Sequence, residues 1–308
     1  MVEEKYNEII KVKEEKLNQL CTLGDGRKIS YAEYGTGTGK PIIYFHGHRS
    51  SRLEPKMYDI EEIKNQVHII AVDRPGFGLS DFTSNHSILN WSSDIIEFAN
   101  LLNINQFSVL GGSGGAPFAL ACAYKNPKRV VTCGIISGLG PIEFGIEGMA
   151  KNNRKELELA QKHPKRLKLL FKLQEKLSKR WLGKDIDELI KMFRKRGKNL
   201  PEPDKKFFED KEKLSMYIPL MTESFRQGIM GPFHEALLFV KPWEFRLDEI
   251  SPEIKVYLWH GDLDTSVPKK MAQSVCQEIP SCEAKFYANE AHLSTAVNHI
   301  KEILTTLA

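Results

Sequence analysis

No apolar run in this 308-residue chain approaches the roughly 20 residues that a membrane-spanning helix requires; the longest stretches cover little more than residues 42–45 and 67–72. The opening Met1-Val-Glu-Glu-Lys-Tyr6 has neither the basic start nor the apolar centre of a secretory signal, so a soluble, cytoplasmic protein with no membrane span is expected. Cysteine is scarce. The five residues Cys21, Cys122, Cys133, Cys276 and Cys282 are odd in number and never spaced as Cys-x-x-Cys, which argues against a disulfide framework or a zinc knuckle and for reduced thiols. Also absent is the Gly-Lys-Ser/Thr sequence of a phosphate-binding loop, and Pro117 stands where a Gly-x-Gly-x-x-Gly fingerprint would need its third glycine. Neither internal repeats nor low-complexity tracts occur.

What the chain does contain is centred on Val109-Leu-Gly-Gly-Ser-Gly-Gly-Ala-Pro117. An apolar strand pattern (Phe107, Val109, Leu110) runs into Gly111-x-Ser113-x-Gly115, and an Ala-rich helical pattern follows from Phe118 to Ala123. A serine on so tight a strand-to-helix turn needs neighbours without Cβ atoms two positions away on either side. Such a turn lifts the hydroxyl clear of the sheet, beside the unpaired N–H groups of a helix N-terminus.

The remaining pattern alternates. Residues 1–20 read as a charged amphipathic helix, with Ile9, Ile10, Val12 and Leu17 among Lys and Glu, and a hairpin turn at Leu23-Gly-Asp-Gly-Arg27 precedes a strand carrying Ile29, Tyr31 and Tyr34. Pro41-Ile-Ile-Tyr-Phe45 and Val67-His-Ile-Ile-Ala-Val72 read as strands buried on both faces, and Trp91, Ile95, Phe98, Ala99 and Leu102 recur at helical spacing. Another buried strand covers residues 130–136. From 141 to 241 only helical spacing is found, broken by a connector at residues 199–204 and with a distortion expected at Pro219 in a helix over 214–229. Alternation resumes with a strand at 254–259, a helix at 269–278, a strand at 283–287 and a closing helix faced by Val297, Ile300, Ile303, Leu304 and Leu307. The expected architecture is α/β: a mostly parallel sheet flanked by helices, formed by residues 1–140 and 242–308, with an all-helical lid inserted at 141–241.

A serine hydroxyl is a weak nucleophile at neutral pH and needs a base, which in turn needs an orienting carboxylate. Ser113, Asp264 and His292 supply these in the chain order Ser, acid, His, each at the carboxyl end of an expected strand. Rival assignments are weaker. Asp262 is a second carboxylate on the Asp264 loop. Neither His46-x-His48 as a metal site nor Asp262-x-Asp264 as a Mg²⁺ site has further ligands close by. His260 at a strand end reads as a packed histidine.

Taken together, the motifs His46-Gly47, Asp73-Arg-Pro-Gly-Phe-Gly-Leu-Ser80, Gly111-Gly-Ser-Gly-Gly115, Gly261-Asp-Leu-Asp-Thr-Ser-Val-Pro268 and Glu290-Ala-His-Leu293 resemble the α/β-hydrolase fold family over residues 22–307. The resemblance implies that Asp264, three residues before the Val-Pro pair, is the acid rather than Asp262. It implies too that the backbone N–H groups of His48 and Gly114 form the oxyanion hole, each such donor being worth about 3 kcal/mol of barrier. Ser113 stands where dehalogenases and epoxide hydrolases of this fold carry aspartate. The His46-Gly-His-Arg-Ser-Ser51 loop departs from the His-Gly-Gly-Pro-Gly of proline iminopeptidases.

The resulting expectation is a serine hydrolase acting on a small-molecule ester or related acyl bond without metal or cofactor. The alternatives are an iminopeptidase-like amidase, with Glu143 or Glu147 holding a substrate amine, and a non-catalytic receptor on the same fold. Residues 151–200 hold 17 Lys/Arg against 6 Asp/Glu in a chain of net charge +4. Because these cations alternate with apolar stripes, they are expected to form a solvated outer face rather than a nucleic-acid or membrane-binding surface.

Overall fold

The computed structural model describes residues 14–308. Eight strands form one sheet in the order β1-β2-β4-β3-β5-β6-β7-β8: β1 Gln19–Thr22, β2 Lys28–Gly35, β3 Lys40–Phe45, β4 Val67–Val72, β5 Phe107–Gly112, β6 Val130–Ile136, β7 Lys255–Gly261 and β8 Cys282–Tyr287. The β1–β2 and β2–β4 pairs are antiparallel, and every pair from β4 to β8 is parallel. Parallel pairing demands crossovers and buries both faces. Crossover helices are α1 Ile88–Leu101, α2 Ala116–Lys125 and α9 Lys269–Glu278, and α10 His292–Leu307 follows the last strand and packs back on the sheet.

Alternation along each strand decides which helix it meets. In β3, Ile43 and Phe45 join a core with Trp91, Ile95 and Phe98 of α1 and Phe118 of α2. The intervening Ile42 and Tyr44 join Ile300, Ile303, Leu304 and Leu307 of α10 on the opposite face. Ser87 caps α1, accepting the Asn90 N–H at 3.1 Å.

Between β6 and β7 the elements are helical: α3 Lys151–Lys162, α4 Pro164–Trp181, α5 Ile186–Arg196, α6 Glu202–Glu209, α7 Lys211–Glu223 and α8 Met230–Phe239. They pack partly on one another, through Leu167, Phe171, Phe225 and Ala236. Trp181, Leu189, Phe207, Phe208 and Leu214 belong to the same apolar cluster as α10 and the strand residues Ile42 and Tyr44.

Several expectations are corrected. Residues 1–13 of the expected N-terminal helix lie outside the described residues; of the remainder only Glu14–Leu17 is helical, and Gln19–Thr22 is a strand against β2. The connector at 199–204 is shorter than expected, because α6 begins at Glu202. Pro201 and Pro203 mark that beginning, since the first turn of a helix has no use for the N–H that proline lacks. Pro219 sits inside α7 without ending it, and the helix stops at Glu223 rather than 229. Cys276 and Cys282 are joined by a disulfide that ties the last turn of α9 to the start of β8, leaving Cys21, Cys122 and Cys133 free. Six residues of separation carried no spacing signal, so this pair went unrecognised. Among the described residues, no helix is long and apolar enough to cross a membrane.

Candidate active site

The chain runs from β3 outward to β4 on one side and then returns to β5 on the other side of β3. Open parallel sheets bind ligands beyond the carboxyl ends of the strands at such a switch of direction. The loop beginning at His46 leaves β3 there, and Ser113 leaves β5 next to it.

Ser113 occupies the left-handed region at φ 49°, a conformation costly for a residue with a Cβ. Strand and helix converge closely enough to hold it. A Cβ on Gly111 would come within 2.6 Å of the Gly115 carbonyl oxygen, and one on Gly115 would collide with the Phe45 carbonyl. Ser113 Oγ lies 3.0 Å from His292 Nε2, and His292 Nδ1 lies 2.8 Å from Asp264 Oδ2. A carboxylate can only accept, so the Nδ1 proton is fixed toward Asp264 and Nε2 is left to accept from the serine hydroxyl. Asp264 is buried, and its Oδ1 accepts the N–H groups of Ser266 at 2.7 Å and Val267 at 2.9 Å. Burial works against a charged His292, but Asp264, followed by Asp204 and Glu54, outweighs it and raises the imidazole's pKa above its ordinary value.

The rival residues fall elsewhere. Asp262 pairs with Lys269 at 2.8 Å. His260 is buried and donates from Nε2 to the Val267 carbonyl at 3.0 Å; burial pushes its pKa down. His46 donates from Nδ1 to the Gly47 carbonyl at 2.8 Å, and burial with neighbouring Arg74 depresses its pKa to about 3. Glu143 and Glu147 are exposed and do not line the cavity. Among the described residues, no group of three or more His, Cys, Asp or Glu side chains could hold a metal ion.

His48 and Gly114 adjoin: a Cβ on Gly114 would stand 3.0 Å from the His48 backbone nitrogen. The loop carrying His48 is braced from below by Glu54, whose Oε2 accepts the Gly47 N–H at 2.8 Å and whose Oε1 accepts the Tyr44 hydroxyl at 2.6 Å. From above, the His48 ring lies between two carboxylates of the helical segment. Its Nδ1 is 2.8 Å from Glu235 of α8, and its Nε2 is 3.2 Å from Glu156 of α3, too oblique for a hydrogen bond. Burial opposes a charge on His48, yet these two carboxylates raise its pKa. Glu235 also receives the buried Arg74 guanidinium, Nη2 donating at 2.9 Å; despite burial, Arg74 and His48 hold its pKa down at about 2. Glu156, held by Arg49 and His48, is likewise lowered to about 2 against the effect of burial.

Above Ser113 and His292 lies a cavity of about 530 Å³ whose walls include Trp181, Phe193, Phe208, Tyr217 and Phe239. Of the 17 Lys/Arg at residues 151–200, only Arg196 reaches its lining. Sequence reasoning missed the carboxylates. Glu156, Glu235 and Asp204 sit in helices where a charged residue ordinarily means a solvated face, and nothing in the local spacing marks them as inward-facing.

The model of the α/β hydrolase fold matches residues 40–297, and the chain belongs to that family. It is 32% identical over 114 residues to a putative proline iminopeptidase of Mycoplasma genitalium, covering 35% of this chain and 36% of that protein. It is 28% identical over 123 residues to a non-heme chloroperoxidase of Streptomyces lividans, covering 39% and 45%. The chain thus spans less than half the length of these curated relatives. An esterase of Exiguobacterium antarcticum superposes with a TM-score of 0.63 over 94% of this chain and 98% of its own, at 16% identity, which shows the shared fold.

Proposed function

We propose that the chain is a serine hydrolase cleaving a carboxylic ester or related acyl bond through an acyl-enzyme. Residues 1–140 and 242–308 form its core, and residues 141–241 form a helical lid that roofs the acyl pocket. The observation that carries this reading is the hydrogen-bonded series from Ser113 through His292 to Asp264, 3.0 Å and then 2.8 Å, beneath an aromatic-walled cavity. Ser113 Oγ attacks the carbonyl carbon while His292 Nε2 takes its proton. Asp264 stabilises the resulting imidazolium, and the His48 and Gly114 amides receive the oxyanion. The proton on Nε2 then passes to the leaving alkoxide. In the second half, water loses its proton to His292, attacks the acyl-serine and releases the acid. These steps use side chains, amides and water alone.

An open cavity of this size at the serine favours catalysis over a receptor role. An amine-binding peptidase is disfavoured: Glu143 and Glu147 lie off the cavity, while Glu54 and Glu156 within it are already engaged by Tyr44 and Gly47, and by His48 and Arg49. The test is Ser113→Ala. It should keep the fold by circular dichroism, lose labelling by a fluorophosphonate probe, and lose hydrolysis of p-nitrophenyl esters of graded chain length. Labelling that survives the substitution would overturn the assignment. A wild-type preference for aminoacyl amides over all the esters would turn the reading toward the peptidase.

A further inference from the structure

Helix α10 begins at His292, and the residue before it is Ala291, whose side chain has no atom able to accept a hydrogen bond from the first turn. Those exposed N–H groups are nonetheless satisfied, by a side chain 88 residues earlier. Asp204 of α6 accepts the His292 N–H on Oδ2 at 3.2 Å, and the Leu293 and Ser294 N–H groups on Oδ1 at 3.0 and 3.1 Å. It is 3% exposed.

From this geometry we infer that Asp204 is a positioning residue for the base: a cap supplied by the helical segment that fixes the His292 backbone and adds negative charge beside the imidazole. The inference rests on the serine-hydrolase reading.

Two consequences separate such a residue from ordinary helix support. First, one carboxylate spans three successive N–H groups starting at His292 itself, so its loss loosens the backbone that sets the distance from Nε2 to Ser113. Proton transfer and attack depend steeply on that distance, whereas acyl binding in the aromatic cavity does not. Second, the carboxylate stabilises the imidazolium. The groups facing His292 are Asp264 from the loop after β7, Asp204 from α6, Glu54 from the loop after β3, His260 at the end of β7 and Ser113. Those facing Asp204 are His292, Asp264 and Tyr217 of α7. Burial raises the pKa of Asp204 itself, while His292 and the N–H groups favour its charged form. The base is therefore strongest when α6 is seated, and a substrate that displaced α6 would also weaken it.

The test uses Asp204→Asn, which keeps volume and one acceptor oxygen but removes the charge, and Asp204→Ala, which removes both. Glu202→Gln, in the same turn but exposed and paired with Lys205 at 3.6 Å, is the control. With p-nitrophenyl butyrate as the probe, Asp204→Ala should lower kcat about 10- to 100-fold with KM little changed. Asp204→Asn should move the acid limb of kcat/KM to lower pH, with a matching fall in the His292 pKa by NMR of histidine-labelled protein. Glu202→Gln should do neither. If Asp204→Ala does not fold, Asp204→Asn alone decides. An Asn variant with an unchanged acid limb and an unchanged His292 titration overturns the inference, as does a loss confined to KM. The NMR titration needs no turnover. Survival of activity in Ser113→Ala would instead sink the hydrolase reading, which keeps the two failures distinct.

Discussion

At the carboxyl edge of the sheet, Ser113 and Asp264 follow the buried strands β5 and β7, while His292 opens α10 after the half-exposed edge strand β8, and backbone hydrogen bonds and apolar packing place the turns that carry them. The helical segment above them shares an apolar cluster with α10 and β3, and adds to that packing a set of buried charge contacts. Arg74 meets Glu235, Arg52 meets Glu223 at 2.7 Å, His48 lies between Glu156 and Glu235, and Asp204 takes the N-terminus of α10. The lesson is one of sensitivity. Apolar packing hardly responds to pH, whereas buried ion pairs fail when one partner is removed or neutralised. Removing one charge at these contacts of the roof should therefore cost more than removing an exposed one, and the cost should vary with pH.

The largest effect expected on the roof is at Glu235. Replacing it with Gln leaves the fully buried Arg74 guanidinium without its counter-charge and His48 without the carboxylate at Nδ1. Breaking a buried pair from one side typically costs about 3–5 kcal/mol. Urea unfolding of Glu235→Gln should show a loss of that order. A loss no larger than that of an exposed pair would break the comparison.

Next comes pH. His46 and His86 are buried with their pKa depressed to about 3, His46 by burial and Arg74, His86 by burial. Unfolded, they bind protons near 6.5 that the native state refuses, so stability falls as pH drops below about 6.5. Glu235 and Glu156, lowered to about 2, contribute stability that is present above roughly 4.3 and is lost as pH falls further. His48 and His292 have the opposite sign. Their raised pKa adds stability below 6.5 that disappears as pH rises through the folded-state value. The melting temperature should accordingly peak near pH 6.5 and fall on both sides, more steeply in acid. Hydrolysis should need a pH above that peak, because the base must be neutral and its pKa is raised. A melting temperature that climbs from pH 6 to pH 4 would contradict this.

This contrast also governs how much could be read from sequence. The strands announced themselves because burial on both faces leaves continuous apolar runs such as Pro41-Ile-Ile-Tyr-Phe45. Ser113 announced itself because the turn needs Gly111 and Gly115. His292 followed from chain order, Asp264 from chain order together with the family resemblance that set it above Asp262, and the two meet in the structure. Glu156, Asp204 and Glu235 were illegible for the complementary reason: each acts through a partner far away in the chain, His48, His292 and Arg74 respectively, and a carboxylate on an amphipathic helix looks alike whether it faces water or a buried cation. Asp204 was further hidden by its neighbours, since Pro201 and Pro203 read as a connector when they in fact open a helix. The disulfide was illegible for a different reason: six residues of separation match no spacing motif, and Cys276 and Cys282 meet only because α9 turns back into β8.

The smallest effect expected is at the exposed cations of residues 151–200, where Lys and Arg outnumber Asp and Glu 17 to 6. Lys191 and Arg194 of α5 are exposed, and Arg194 pairs with Glu209 at 2.9 Å, with the two side chains 63% and 41% exposed. Leu189 and Ile190 of the same helix are buried. Exposed pairs contribute about 0–1 kcal/mol and are screened over about 8 Å at physiological salt, so their charge hardly reaches the cavity. Reversal by Lys191→Glu and Arg194→Glu should leave turnover of a neutral ester within about twofold, at low and high ionic strength alike. Arg196 is the informative neighbour, since it lies against Trp181 at the cavity wall. If ionic strength strongly altered turnover of a neutral ester, and Arg196→Gln abolished that dependence while the outer reversals did not, charge would be acting through the wall itself, and the division between an apolar interior and a solvated basic exterior would have to be redrawn at that residue.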